Sequence, residues 1–373
     1  MDGAFRYARS CFLQSISELV NKKTHMALPL IAGAGLKKRD QMLAVDLGSR
    51  NTKAVYLQRQ GDALVLNRFA VLDAPIFEKS LSPELLSEHL RAVAQALEAK
   101  TRLVALTTNV NEALVRHVDM PRMPIEDMRL ILKHNSRNYL QQDLTNYIFD
   151  CHVLPSTAAG AGQKQKVLVA GGRKQLVDDY VTGSRNANLI ADHIVPGLIG
   201  PVNAFEMAMP DVFANEVVAL VDIGFRSSSI CILQQGELIL SRVVAIGGDR
   251  LTSAIAETMS ISYAEAEGIK VGMAGEVQSI LESVLMPLGR ELRASIDFFE
   301  HQQDRPVAAV YMTGGSSRSE FVVQALQQEL MIETRTWNPT SFLKLELSPQ
   351  QAAEIEHASS QLAVAVGVAV TAL

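Results

Sequence analysis

Two short stretches hold the residues best suited to chemistry. "AVDLGSRNTKAVYL", Ala44 to Leu57, is an apolar strand broken by Asp46, Gly48 and a polar run, and then resumed. "LVDIGFRSSSICIL", Leu220 to Leu233, repeats the plan with Asp222 and Gly224. One such tip is an ordinary turn whose Asp and Ser bond the local backbone. Two of them point to a shared ligand. A carboxylate, a glycine that admits close backbone approach and hydroxyls beside free N–H groups suit a phosphate chain with Mg²⁺. Because Mg²⁺ keeps most of its waters and touches one or two carboxylates, Asp46 and Asp222 facing each other across the phosphates meet its needs.

A third stretch, "VAAVYMTGGSSRSEFVVQALQQEL" (Val307 to Leu330), reads as a strand, the turn Gly314-Gly315-Ser316-Ser317 and an amphipathic helix. Such a turn lets backbone N–H groups approach a flat ligand. It is neither a Walker A loop nor GxGxxG, and packing glycines are the competing explanation.

The elements that position these tips repeat as well. With small insertions near Gln60 and Ala63, "AVDLGSRNTKAVYLQRQGDALVLNRFAVL" lies over "LVDIGFRSSSICILQQGELILSRVVAI" with Asp46 over Asp222, Gly48 over Gly224, Arg50 over Arg226, Gly61 over Gly236, Asp62 over Glu237 and Arg68 over Arg242. The copies stand a domain length apart, so two related halves are expected, not a short-period solenoid. A cleft between such halves is a preferred ligand site. Strands are predicted at Leu43 to Leu47, Ala54 to Leu57, Leu64 to Leu72 and Leu103 to Leu106, with a helix from Pro83 to Lys100. The segment from Asn109 to Pro201 adds two helices, two strands and a Gly/Ala/Gln loop at 158–165. The whole is α/β.

With 373 residues, 48% hydrophobic and 20% charged, the chain has the composition of a globular protein of two or three domains. Its net charge of −5 gives no broad basic surface for nucleic acid. Three cysteines and eight histidines lack zinc-ligand or disulfide patterning, which fits a reducing compartment. Residues 1–41 read as an extension or tether: Phe5, Cys11, Phe12, Ile16, Leu19 and Val20 share one face of a short helix, and the apolar run 26–36 is too short to span a bilayer. The terminal "SSQLAVAVGVAVTAL" has no Lys, Arg or Trp and reads as a buried closing helix, not a membrane-surface one.

In order and content these segments resemble the actin-like ATPase superfamily. "VDLGSRNTK" resembles its first phosphate motif, "VDIGFRSSS" its second and "VYMTGGSSR" its adenosine motif. Within it the likeness is nearest to the PilM family of type IV pilus assembly, through "VRHVDMPRMPIEDMRLILKHNSRNYL", "YIFDCHVLP", "AIGGDRLTSAIAETMSISYAEAEGIK", "ELRASIDFFEHQ" and "QLAVAVGVAV". The resemblance implies an actin-like fold: a first lobe at 42–108, an FtsA/PilM-type inserted subdomain and linker at 109–200, a second lobe at 201–350 and a helix at 351–373 returning to the first lobe. It implies ATP and Mg²⁺ between the lobes.

On one side of the phosphates the resemblance puts Asp46, Gly48, Ser49, Asn51, Thr52 and Lys53, and on the other Asp222, Gly224, Ser227 and Ser228. Gly247 and Gly248 support the phosphate end, Glu267 and Lys270 approach the ribose and adenine, and Gly314, Gly315 and Ser316 lie beneath the purine. Asp46 and Asp222 serve the metal, largely through water. For Glu267 and Lys270 a solvated helix face with an i,i+3 ion pair remains open. The chain departs from the family at Phe225, whose ring is expected to crowd the phosphate turn, at Asn51 and at Ser316.

The implied partner is the cytoplasmic N-terminal tail of PilN-like protein, alongside other pilus-assembly components, at the inner face of the inner membrane. Membrane contact comes through partners, and a homo-oligomer is left open. No dedicated base for hydrolysis stands out, which favours a nucleotide-responsive adaptor with at most slow turnover. The alternatives are an FtsA-like filament former and a small-molecule kinase. Met120, Met123 and Met128 line a partner groove or fill a core.

Overall fold

The computed structural model describes residues 39–77, 80–154 and 164–373. The N-terminal helix and apolar run, and most of the loop at 158–165, lie outside them.

The chain opens with β1 (Gln41–Leu47), β2 (Asn51–Gln60) and β3 (Ala63–Asp73), an antiparallel meander, then α1 (Pro83–Ala96) and β4 (Leu103–Thr108). There follow β5 (Ala113–Pro121), α2 (Ile125–Leu140), β6 (Tyr147–Val153), β7 (Lys164–Arg173), α3 (Lys174–Asn186) and β8 (Ile190–Pro196). Next come α4 (Ile199–Ala208), α5 (Pro210–Asn215) and a second meander of β9 (Val217–Ile223), β10 (Ser228–Gln234) and β11 (Glu237–Val244). The remainder is α6 (Gly248–Met259), α7 (Tyr263–Gly272), α8 (Gln278–Gln303), β12 (Ala309–Thr313), α9 (Glu320–Leu330), β13 (Thr334–Thr336), β14 (Lys344–Leu345), α10 (Pro349–Ala358) and α11 (Ala363–Ala372).

Two mixed sheets result, ordered β14-β3-β2-β1-β4-β8 and β11-β10-β9-β12-β13. In each, the meander is extended by a parallel strand beside its first strand, β4 on β1 and β12 on β9. The repeat reaches into the details. A register slip falls between Tyr56 and Leu57 in one meander and between Ile232 and Leu233 in the other, the same distance beyond each aspartate. Each hairpin turns through a glycine at positive φ, but Gly61 comes first in its two-residue turn and Gly236 second, after Gln235, so the turns themselves differ.

The segment 109–200 is not one unit. Strands β5, β7 and β6 form a separate three-stranded sheet backed by α2, whereas α3 packs on α1 and β8 pairs with β4 in the first sheet. The methionines settle as core filler: Met120 of β5 and Met128 of α2 are fully buried where the helix packs on the sheet, and Met123 packs beside them.

The largest core lies between the two big sheets. It joins Met42, Ala44 and Val55 to Leu220 and Leu233 through α4 and α11. Every residue of α11 from Ala363 to Val370 is buried, which suits a helix that is apolar all round. The outer faces are covered by α1 and α3 on the first sheet and by α6, α8 and α9 on the second.

Candidate functional site

The two polar tips meet in the cleft between the large sheets. Asp46 sits near the end of β1, opposite Lys53 in the antiparallel register. Both its carboxylate oxygens are held: Lys53 Nζ donates to Oδ2 at 3.3 Å and Thr107 Oγ1 to Oδ1 at 3.2 Å. Thr107, on β4, also accepts the Leu47 N–H at 3.3 Å. A carboxylate at a buried strand end is thus tolerated because it is hydrogen-bonded and paired.

Asp222 stands beside Thr313 of β12. Burial pushes its carboxyl up to about 6, the negative charge of Asp46 adds to this, and Lys53 opposes it. Both aspartates and the lysine therefore belong to one electrostatic cluster. Gly314, at φ +91°, lies against this carboxyl, and any Cβ there would collide with Asp222 Oδ1 and the Ile223 carbonyl.

The second turn is stitched to the start of α6. Gly224 N–H donates to the Ser227 carbonyl at 3.0 Å, Gly248 N–H to the Gly224 carbonyl at 3.0 Å and Asp249 N–H to the Phe225 carbonyl at 2.9 Å. Gly247 leaves no room for a side chain against the Gly224 and Phe225 carbonyls. Ser316 closes the same corner, since a Cβ on Gly248 would come within 2.8 Å of its Oγ. Gly315 is exposed beside it.

Glu267 and Lys270 form the i,i+3 pair at 2.7 Å, yet not on a solvated face. Thr252 Oγ1 donates to the same Glu267 oxygen at 2.5 Å, and Lys270 Nζ also donates to Thr252 Oγ1 at 2.8 Å and the Gly248 carbonyl at 3.4 Å. Burial would raise the Glu267 carboxyl, but hydrogen bonds from Lys270 and Thr252 and the charges of Lys270 and Arg50 hold it below the usual range.

Some expected contacts are spent elsewhere. Thr52 belongs to the opposite face of β2 from Lys53, because side chains alternate along a strand. Its hydroxyl is paired with His89 Nε2 of α1 at 2.7 Å, away from the cleft. Asn51 Nδ2 reaches Asp73 at 3.4 Å, and Ser228 Oγ donates to the Ile246 carbonyl at 2.7 Å. Ser49 is half-buried at the tip. Ser227 is buried and accepts a hydrogen bond from Asn111 Nδ2 at 3.2 Å. Arg50, whose counterpart Arg226 is exposed, instead reaches Phe225 and Glu267 across the cleft. Sequence reasoning missed Thr107, His89 and Asn111, which come from elements remote along the chain and carry no local signal.

The residues present fit a magnesium polyphosphate. Two carboxylates, one cation between them and two glycine-lined turns leave backbone space where a side chain would collide. Among the described residues no group of three or more His, Cys, Asp or Glu is set to hold a metal by itself, so phosphates and water would complete the shell around Mg²⁺.

A second concavity, of about 310 Å³, opens where the inserted sheet meets the first lobe. Asn111, Glu112, Arg116, Gln142, Tyr147 and Arg173 line it. Burial raises the Glu112 carboxyl, and the positive charge of Arg173 partly offsets this.

Residues 44–373 match the model of the type IV pilus assembly protein PilM family. The chain belongs to that family. It is also similar to the cell division protein FtsA of Bacillus subtilis (strain 168), 23% identical over 260 residues, or 63% of this chain and 58% of FtsA. It therefore spans less than two thirds of that relative's length. Among solved structures, a PilM–PilN type IV pilus biogenesis complex matches at a TM-score of 0.77 with 21% identity, covering 89% of this chain and 98% of that one. The ethanolamine utilization protein EutJ from Carboxydothermus hydrogenoformans matches at 0.53 with 14% identity, covering 96% and 98%. The fold is the actin-like ATPase fold, with the FtsA/PilM-type insertion formed by β5, β6, β7 and α2. No helix among the described residues is long and apolar enough to cross a membrane.

Proposed function

We propose that this chain is a nucleotide-responsive adaptor of type IV pilus assembly, at the cytoplasmic face of the inner membrane. In this reading the interlobe cleft takes Mg²⁺ and ATP, and the insertion docks the N-terminal tail of a PilN-like inner-membrane protein. The observation that carries it is the physical link between the two sites. Asn111 lines the concavity at the insertion while its amide donates to Ser227 in the second phosphate turn. In this reading a change at either place is felt at the other, and such coupling is reciprocal.

In the cleft, Lys53 neutralises the phosphates, Asp46 and Asp222 orient the water shell of the metal, and the Gly224 and Gly314 turns supply close backbone approach. Bound Mg²⁺ would neutralise phosphate charge between the lobes. Asp46 is held by Thr107 and Lys53, and Glu267 by Thr252 and Lys270. Asp222, its carboxyl raised to about 6 by burial, is the site group left to orient an attacking water. In this reading turnover is slow. At the insertion, Arg116, Arg173 and Glu112 offer both charge signs to an extended tail, and the volume suits one or two anchor side chains. The membership in the PilM family and the presence of PilN in the related complex support this partner.

The test is a calorimetric titration of the full chain with a synthetic PilN-like N-terminal tail, with and without Mg-AMPPNP. Saturable one-to-one binding that nucleotide changes severalfold, and that Arg173→Glu weakens about tenfold or more, is expected. No binding under either condition, with nucleotide-dependent filaments forming instead, would replace this reading by the FtsA-like one.

A further inference from the structure

Arg50 and Phe225 each sit on a phosphate turn, one per lobe, and they contact each other. The Arg50 guanidinium carbon lies 5.2 Å from the centre of the Phe225 ring, and its Nη1 lies 3.4 Å from Glu267 Oε1. The other Glu267 oxygen is already committed to Lys270 and Thr252. Arg50 thus reaches from the first lobe to two residues of the second. The equivalent residue of the repeat, Arg226, is exposed and makes no such bridge among the described residues. Duplication alone therefore does not explain the contact.

We propose that Arg50 is a clasp across the cleft that makes the site select a polyphosphate over a bare nucleoside. The proposal rests on the cleft being a nucleotide site. On that reading Glu267 is the carboxylate that accepts a sugar hydroxyl, and its Oε1 is the atom Arg50 covers. A ligand hydroxyl that approaches that oxygen from the Arg50 side displaces the guanidinium. The clasp is breakable, because the Arg50 side chain is 40% exposed and both contacts are of the weak, solvent-screened kind. What happens next depends on the ligand. A phosphate chain between the turns offers the guanidinium, two residues beyond Gly48, a partner that matches its planar fork. A nucleoside has none, so it opens the clasp without compensation. Phe225 then holds the freed arginine near the second turn; its ring faces Arg50.

The experiment compares wild type, Arg50→Ala, Phe225→Ala and Arg226→Ala by calorimetry with adenosine and with Mg-AMPPNP, and by backbone hydrogen exchange without ligand. Arg50→Ala is expected to tighten adenosine binding roughly 3- to 10-fold while leaving Mg-AMPPNP equal or weaker, and to speed exchange at 48–53 and 224–228. Phe225→Ala should move the same way by less, and Arg226→Ala should match wild type. If wild type binds Mg-AMPPNP but Arg50→Ala binds adenosine no tighter and exchanges no faster, the clasp is wrong and the nucleotide site stands. If no form binds either ligand, the nucleotide reading falls and the clasp with it.

Discussion

Lys53 is the single residue on which the cleft's charge balance turns. It stands between two carboxylates, donating to Asp46 and lowering the cost of ionising Asp222. Lys53→Ala leaves both acids facing each other without a cation and removes a phosphate partner, so Mg-AMPPNP affinity should fall about tenfold or more in a calorimetric titration. Glu206 on α4 presents a different problem. Burial alone raises its carboxyl to about 7 from an ordinary 4.5. A folded state that holds this proton more tightly than the unfolded one is most stable at low pH and loses that advantage as pH climbs from about 4.5 to 7. Glu206→Gln should therefore be more stable than wild type by about 1–3 kcal/mol at pH ~8, with the gain vanishing near pH ~4, as read from urea melts.

At the scale of elements, the close crossing of α4 and α11 fixes how the two sheets face each other. Gly367 lies against the Gly200 carbonyl and Gly200 against Val364, leaving no room for a Cβ at either. Gly367→Ala should cost at least about 2 kcal/mol in chemical denaturation, because a close-packed interior cannot absorb the methyl without moving a helix. The hairpins themselves were legible in the sequence: the same order of aspartate, glycine and turn occurs twice, and the register slip falls at the same distance beyond each aspartate. The turn after β12 was legible for the same reason, an apolar strand running into paired glycines. The site's supporting residues were not. Thr107 and Asn111 reach the cleft only because β4 pairs with β1 and the loop after it runs to the second lobe, and pairing across that distance leaves no periodic trace. Thr52 shows the reverse: its position opposite Leu47 puts it on the face away from Lys53, and motif resemblance carries no such parity.

For the whole molecule, the account requires that the cleft and the insertion act as one device. Asn111 joins the concavity to the second phosphate turn, and His117 of β5 also meets the Leu238 carbonyl of β11, so Asn111→Ala should reduce the response of tail binding to nucleotide more than tail binding itself, as read by calorimetry with and without Mg-AMPPNP. The most direct measurement is a crystal structure of the full chain with Mg-AMPPNP and a PilN-like tail peptide. The account predicts the phosphates between residues 46–53 and 222–228, with Asp46 and Asp222 turned to the metal's waters and the peptide anchored beside Glu112 and Arg173. Density for the nucleotide outside that cleft, or a tail bound away from the insertion, would contradict it.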